Sequence, residues 1–185
     1  MSIVKGSELR LEPKLFATTR IGREVAAAEE IENAFLGLGI EVLTEAYERR
    51  GIVIVKAPKE ADPLELVGIL RSRAPSRVYW CLPINMVVET SYENIARGCT
   101  ELVLLSKFAK PFRLICICRK RGNYIDSCSR LTRVVGDQLE KLGLAEVDFR
   151  AYEYVLRIEI LDRYSYLSLY KRSEEPLFRF KTQTF

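Results

Sequence analysis

The sequence predicts an α+β protein of two units: an N-terminal ferredoxin-like βαββαβ lobe over residues 1–84, followed by an α/β lobe over residues 85–185. Three observations lead there. Apolar spacing along the first 84 positions switches between period two and steps of three and four, in the order strand, helix, strand, strand, helix, strand. Pro83 then breaks the next apolar run, and Thr90-Ser91-Tyr92-Glu93 has capping-box spacing, which marks a new start. Finally, 185 residues that are 48% hydrophobic suffice for two small cores sharing one chain.

Each element has its own signal. The short apolar stretch at 15–19 reads as a strand, and after Gly22 the residues Ala28, Ile31, Phe35 and Leu38 define a helix that Gly39 stops. Residues 41–46 and 52–55 form a hairpin hinged at Arg49, Arg50 and Gly51. Asp62 and Pro63 open a second helix as N-cap and first-turn proline, with Leu64, Val67 and Leu70 on one face. Residues 76–82 return to strand chemistry, with Trp80 and Cys81 expected in the core. In the second half, a helix runs from Ser91 toward Leu105, a strand covers 112–119 and a loop covers 120–126. A helix capped by Ser127 follows, then two strands at 154–161 and 164–171 joined at Asp162-Arg163. Those last strands alternate with period two, so one buried sheet face is expected. Gly136 inside a helix costs about 1 kcal/mol relative to Ala and implies close packing on the sheet.

Composition removes several function classes. Histidine is absent, and with it the usual acid-base side chain near neutral pH and the commonest metal ligand. The five cysteines are odd in number and lack a CxxC pair, so neither a secreted disulfide framework nor a zinc ribbon fits. Cys116 and Cys118, inside an apolar run, read as small buried hydrophobes. Only six Asn or Gln residues accompany plentiful Lys, Arg and Glu, a thermophile-like balance in which an intracellular disulfide is less surprising. No stretch has the length of apolar residues that a membrane span needs, and no secretory signal opens the chain, so a cytoplasmic location is expected. No cofactor loop or metal-ligand spacing is present, so neither group is expected.

Charge is distributed unevenly beneath a net value of +4. Residues 1–106 carry 13 basic and 15 acidic groups, and residues 134–185 carry 8 and 9, whereas residues 107–133 carry 8 and 1. Clustered cations of this kind suit a phosphate backbone. The candidate RNA-binding residues are Lys107, Lys110, Arg119, Lys120, Arg121, Tyr124, Ser127, Arg130 and Arg133, with Arg113 contributing to the same field. Gly122-Asn123-Tyr124 forms a turn that can offer backbone N–H groups, and Ser127 starts a helix whose N-terminus favours an anion. Tyr124 can stack on a base, although a loop tyrosine more commonly packs. The competing reading of the whole cluster is a solvated surface.

Arg119-Lys120-Arg121-Gly122, Ser127, the helix with Gly136, and Val147-Asp148-Phe149 ahead of the 154–161 strand together resemble a THUMP domain, over about residues 85–172. Phe16-Ala17-Thr18-Thr19, the helix start at Gly22-Arg23-Glu24 and the one at Asp62-Pro63 are similar to the stand-alone THUMP family related to the tRNA cytidine acetylation adaptor. Ala151-Tyr152-Glu153 departs from the Pro-Asp pair common at that position. The resemblance implies a tRNA-binding adaptor that recognises the acceptor end and leaves chemistry to an enzyme in trans, in particular a tRNA cytidine acetyltransferase. The thirteen residues after Arg172 are too few for a catalytic domain, so no activity of its own is expected. Two other readings stay open: a small RNA- or nucleotide-processing enzyme using Asp126, Asp137 or Asp148, and a ferredoxin-like ligand-sensing module without RNA.

Overall fold

The structure, a computed structural model, describes residues 10–180; the outer ends of both predicted lobes, residues 1–9 and 181–185, lie outside the described residues. The described chain divides into two compact units, one holding the residues up to Cys81 together with Phe180, the other Leu82–Arg179.

In the first unit the order is β1 (Leu11–Thr18), α1 (Glu24–Leu36), β2 (Leu43–Tyr47), β3 (Ile52–Pro58), α2 (Pro63–Ser72) and β4 (Trp80–Pro83). The strands lie side by side as β2-β3-β1-β4, with β3 antiparallel to both β1 and β2. This is the ferredoxin-like arrangement. Central position explains why Leu15 to Ala17 of β1 and Ile52 to Val55 of β3 are buried in unbroken runs. Helix α1 adds Ala27, Ala28, Ile31 and Phe35, and α2 adds Leu66, Val67 and Leu70. The Asp62 carboxylate accepts the Leu64 N–H at 2.9 Å, so the predicted cap forms. Trp80, expected in the core, is only half-buried, whereas Cys81 beside it is enclosed.

The second unit holds β5 (Met86–Glu89), α3 (Tyr92–Leu105), β6 (Phe112–Arg121), α4 (Cys128–Lys141), β7 (Ala145–Val147), β8 (Tyr154–Leu161), β9 (Tyr164–Lys171) and α5 (Glu175–Phe178). Its sheet runs β5-β9-β8-β6-β7. Strand β6 is parallel to both β7 and β8, and β9 is antiparallel to β5 and β8, so only β9 is reversed. Helices α3 and α4 cover one face, where Ile95, Cys99, Val103, Leu131, Val135 and Leu139 pack with Leu114, Leu156, Ile158 and Leu167.

Three expectations are corrected here. Thr90 does not open a capping box: Ser91 is the N-cap and accepts the Asn94 N–H at 3.0 Å, while the Thr90 hydroxyl meets that of Ser165 at 2.8 Å. Strands β8 and β9 are buried on both faces, not one. Their second face carries Arg157, Glu159, Ser168 and Tyr170, which imitate a solvent-facing pattern, and Phe178 of α5 closes on the Tyr170 ring at 4.8 Å. Cys118 is not an isolated apolar filler but is disulfide-bonded to Cys128. Gly136 does allow close approach, because a Cβ there would lie 2.9 Å from Val147 Cγ2.

Candidate nucleic-acid interface

Because β5, β6 and β8 run in one direction, their carboxyl ends share one edge of the second sheet, where α3 and α4 both begin. Backbone contacts tie this edge together. The Asp162 N–H donates to Arg121 O at 3.1 Å and the Thr90 N–H donates to Arg163 O at 2.8 Å, while the Tyr92 hydroxyl oxygen lies 3.2 Å from Ser127 O. Open α/β edges of this kind, with helix N-termini turned to one side, are natural anion-facing surfaces.

The loop after β6 is clamped at its base. The Cys118–Cys128 bond spans 5.5 Å between Cα atoms and joins the end of β6 to the first residue of α4. Inside the resulting ring, Lys120 Nζ donates to the main-chain oxygens of Ile125 and Asp126, both at 2.8 Å, and the Ile125 side chain is buried. Ser127 caps α4 as predicted, its hydroxyl accepting the Arg130 N–H at 3.2 Å. The Tyr92 hydroxyl donates to the Asp126 carboxylate, and this hydrogen bond holds the carboxyl below its usual range against the opposing effect of burial. Gly122 adopts φ +113°, and a Cβ there would stand 2.5 Å from an Asp162 carboxylate oxygen. Only glycine fits this turn.

The predicted cations have different tasks. Arg121 pairs with the buried Glu159 at 2.7 Å, and Arg157 holds the other oxygen of the same carboxylate at 2.8 Å. Arg130 stands over the Tyr92 ring at 5.3 Å and 3.7 Å from Asp126. Arg119 is exposed on the strand face that also bears Arg121, and no carboxylate among the described residues is ion-paired with it. Tyr124, for which packing is the commoner role, is 59% exposed. Arg133 lies further along α4 and lines a groove of about 430 Å³ with Cys116, Asp137, Glu140 and Phe149.

Lys107 and Lys110 lie elsewhere. They precede Phe112, the first residue of β6, so the ten-residue strand separates them from the loop at Arg121 by about 30 Å. Arg113 shares their end of the strand and pairs with Glu153 at 3.4 Å. A run contiguous in sequence thus becomes two cationic ends of one strand. Sequence reasoning missed Arg163, which reaches the edge from the β8–β9 turn, contacts Glu89 at 2.6 Å and lies within electrostatic range of Tyr124. The Asp162-Arg163 joint was legible, but its place beside Gly122 depends on parallel pairing between residues forty positions apart. Among the described residues, no group of three or more His, Cys, Asp or Glu is placed to hold a metal ion.

The two units therefore define an α+β fold in which a ferredoxin-like lobe precedes a second α/β lobe. The sequence matches no protein-family model and no curated protein. Solved structures do match. PH1313 from Pyrococcus horikoshii Ot3 is 19% identical with a TM-score of 0.71, over 86% of this chain and 55% of that one. TrmN from Thermus thermophilus is 18% identical with a TM-score of 0.58, over 85% and 45%. A 4-thiouridine synthetase solved as an RNA complex with bound ATP is 14% identical with a TM-score of 0.59, over 86% and 41%. At such identities the likeness concerns the fold. The chain spans about half the length of these proteins.

Proposed function

We propose that this chain is a tRNA-binding adaptor that presents the acceptor end of tRNA to a modification enzyme acting in trans, a tRNA cytidine acetyltransferase being the first candidate. The observation that carries the reading is the clamped loop at the carboxyl edge of the second sheet, where Arg119, Tyr124, Arg130 and Arg163 stand exposed beside two helix N-termini. Guanidinium groups on a rigid frame are suited to phosphate, and an exposed aromatic ring beside them is suited to an unstacked base. A fold shared with a synthetase solved in complex with RNA supports the same class of ligand.

The chain's own role is binding rather than chemistry. Asp126 and Asp148 sit at opposite ends of β6, so they do not form a carboxylate pair, and Asp137, the third carboxylate of that alternative, lines the α4 groove with Glu140 and Arg133. Asp148 accepts the Arg150 and Ala151 N–H groups, which hold it below the usual carboxylate range as a turn residue.

The test is binding of intact tRNA and of tRNA trimmed of its single-stranded 3′ end, at several salt concentrations. Salt-sensitive binding of the intact form alone is the expected result. Equal binding of both forms removes the acceptor-end assignment, and no binding of either removes the reading. Incubated alone with acetyl or methyl donors, the protein is expected to modify no nucleotide.

A further inference from the structure

A second cationic surface lies in the first unit, where the near balance of 12 basic and 12 acidic groups over residues 1–81 conceals it. Arg20 and Arg23 belong to the β1–α1 connection, Arg49 and Arg50 to the tip of the β2–β3 hairpin, and all four side chains are exposed. The two segments are sewn together. The Thr19 N–H donates to Gly51 O at 2.9 Å, and the Arg23 N–H donates to Arg20 O at 2.9 Å. A Cβ on Gly51 would lie 2.8 Å from Thr19 O and 3.6 Å from Ile21 Cγ1.

The knot beneath them is Glu24. Its side chain is 2% exposed and accepts the Gly51 N–H at 2.8 Å. Burial raises its pKa, but backbone N–H groups of Glu24, Gly51, Gly22 and Arg49 outweigh that and hold the carboxyl below its usual range. A buried carboxylate thus fixes the scaffold from which the arginines project. Arg49 adopts φ +61°, a left-handed turn position that glycine or asparagine occupies at lower cost. Keeping a long cation there is a strained choice, and such strain is common at binding sites.

We propose that Arg20, Arg23, Arg49 and Arg50 form a second contact for the sugar-phosphate backbone of RNA, separate from the β6–α4 loop. This rests on the tRNA-binding reading and extends it to the ferredoxin-like unit. RNA is favoured over an anionic membrane because the neighbouring apolar side chains, Ile21 and Val25, are two isolated residues rather than the broad face that membrane insertion uses.

The test compares two triple variants of the full chain. In Arg20→Ala/Arg23→Ala/Arg49→Gly, the log–log salt slope of tRNA binding is expected to fall by about 2 to 3 and affinity by roughly tenfold or more. Thermal stability should hold or rise, because glycine relieves the Arg49 turn. The control Lys14→Ala/Lys59→Ala/Arg73→Ala removes three cations of the same unit and should leave the slope unchanged. Equal effects in the two variants, or no effect in the first, overturn the proposal. So does loss of binding to phosphatidylserine vesicles with tRNA binding intact. If the unaltered protein binds no tRNA, both readings fail; if it binds and only loop substitutions weaken it, this one fails alone.

Discussion

Arg119 and Arg121 lie two residues apart on the same face of β6, yet only one is committed to the interior. Arg121 neutralises a Glu159 carboxylate that is 2% exposed, with Arg157 on its other oxygen. Arg121→Ala leaves that carboxylate with one partner and is expected to cost about 1 to 3 kcal/mol in denaturant melts. Arg119→Ala should change stability by less than about 0.5 kcal/mol while weakening tRNA binding. If the two variants bind and melt alike, the division of labour is wrong. Replacing both with Lys120 in one protein would mix these effects, since Lys120 also holds the loop through two carbonyls. At Glu24 the prediction concerns pH. Its folded pKa lies below the ordinary 4.5, so its stabilisation is present above that value and disappears as pH falls through the lower folded value. Thermal melts from about pH 7 to about pH 3 should therefore bring the unaltered protein and Glu24→Gln together at the acid end. A constant gap across that range would contradict it.

Among the elements, α3 approaches its sheet tightly at Gly98, where a Cβ would lie 2.9 Å from both Leu167 and Val88 side chains. Gly98→Ala gains helix propensity but must displace two packed side chains, and is expected to destabilise by about 1 to 2 kcal/mol in chemical denaturation; a stabilised variant would refute the tight packing. The disulfide-closed loop sets the other element-scale expectation. With nine residues between Cys118 and Cys128, reduction should cost about 2 to 3 kcal/mol on the chain-entropy account. A melting temperature unchanged by dithiothreitol would contradict this. How far these features could be read from sequence follows their range. The Asp62 and Ser127 caps, the start of α3 near Ser91 and the β8–β9 hairpin are local, and each was legible, although the cap of α3 fell one residue later than the Thr90 box. Strands β5 and β7 escaped because they have four and three residues and owe their pairing to β9 and β6 rather than to a pattern of their own. The same limit explains the site: Lys107 and Arg121 are neighbours in a charge window but occupy opposite ends of an extended strand, whereas Arg163 joins the edge only through tertiary pairing.

For the molecule as a whole, no helix among the described residues is long and apolar enough to cross a membrane. The adaptor reading concerns the full chain: adding it to a partner acetyltransferase should increase tRNA acetylation at limiting RNA, and a rate independent of the protein would oppose the reading. One feature near the middle of the chain also alters its connectivity. Because Cys118 is bonded to Cys128, residues 118–128 form a covalent ring, and Tyr124 on that ring is 59% exposed. Chymotryptic cleavage after Tyr124 would open the ring without parting the molecule. The two pieces would migrate together on a non-reducing denaturing gel and separate only after reduction, so that a nick at the exposed tip adds no more than one water to the molecule until the sulfurs are freed.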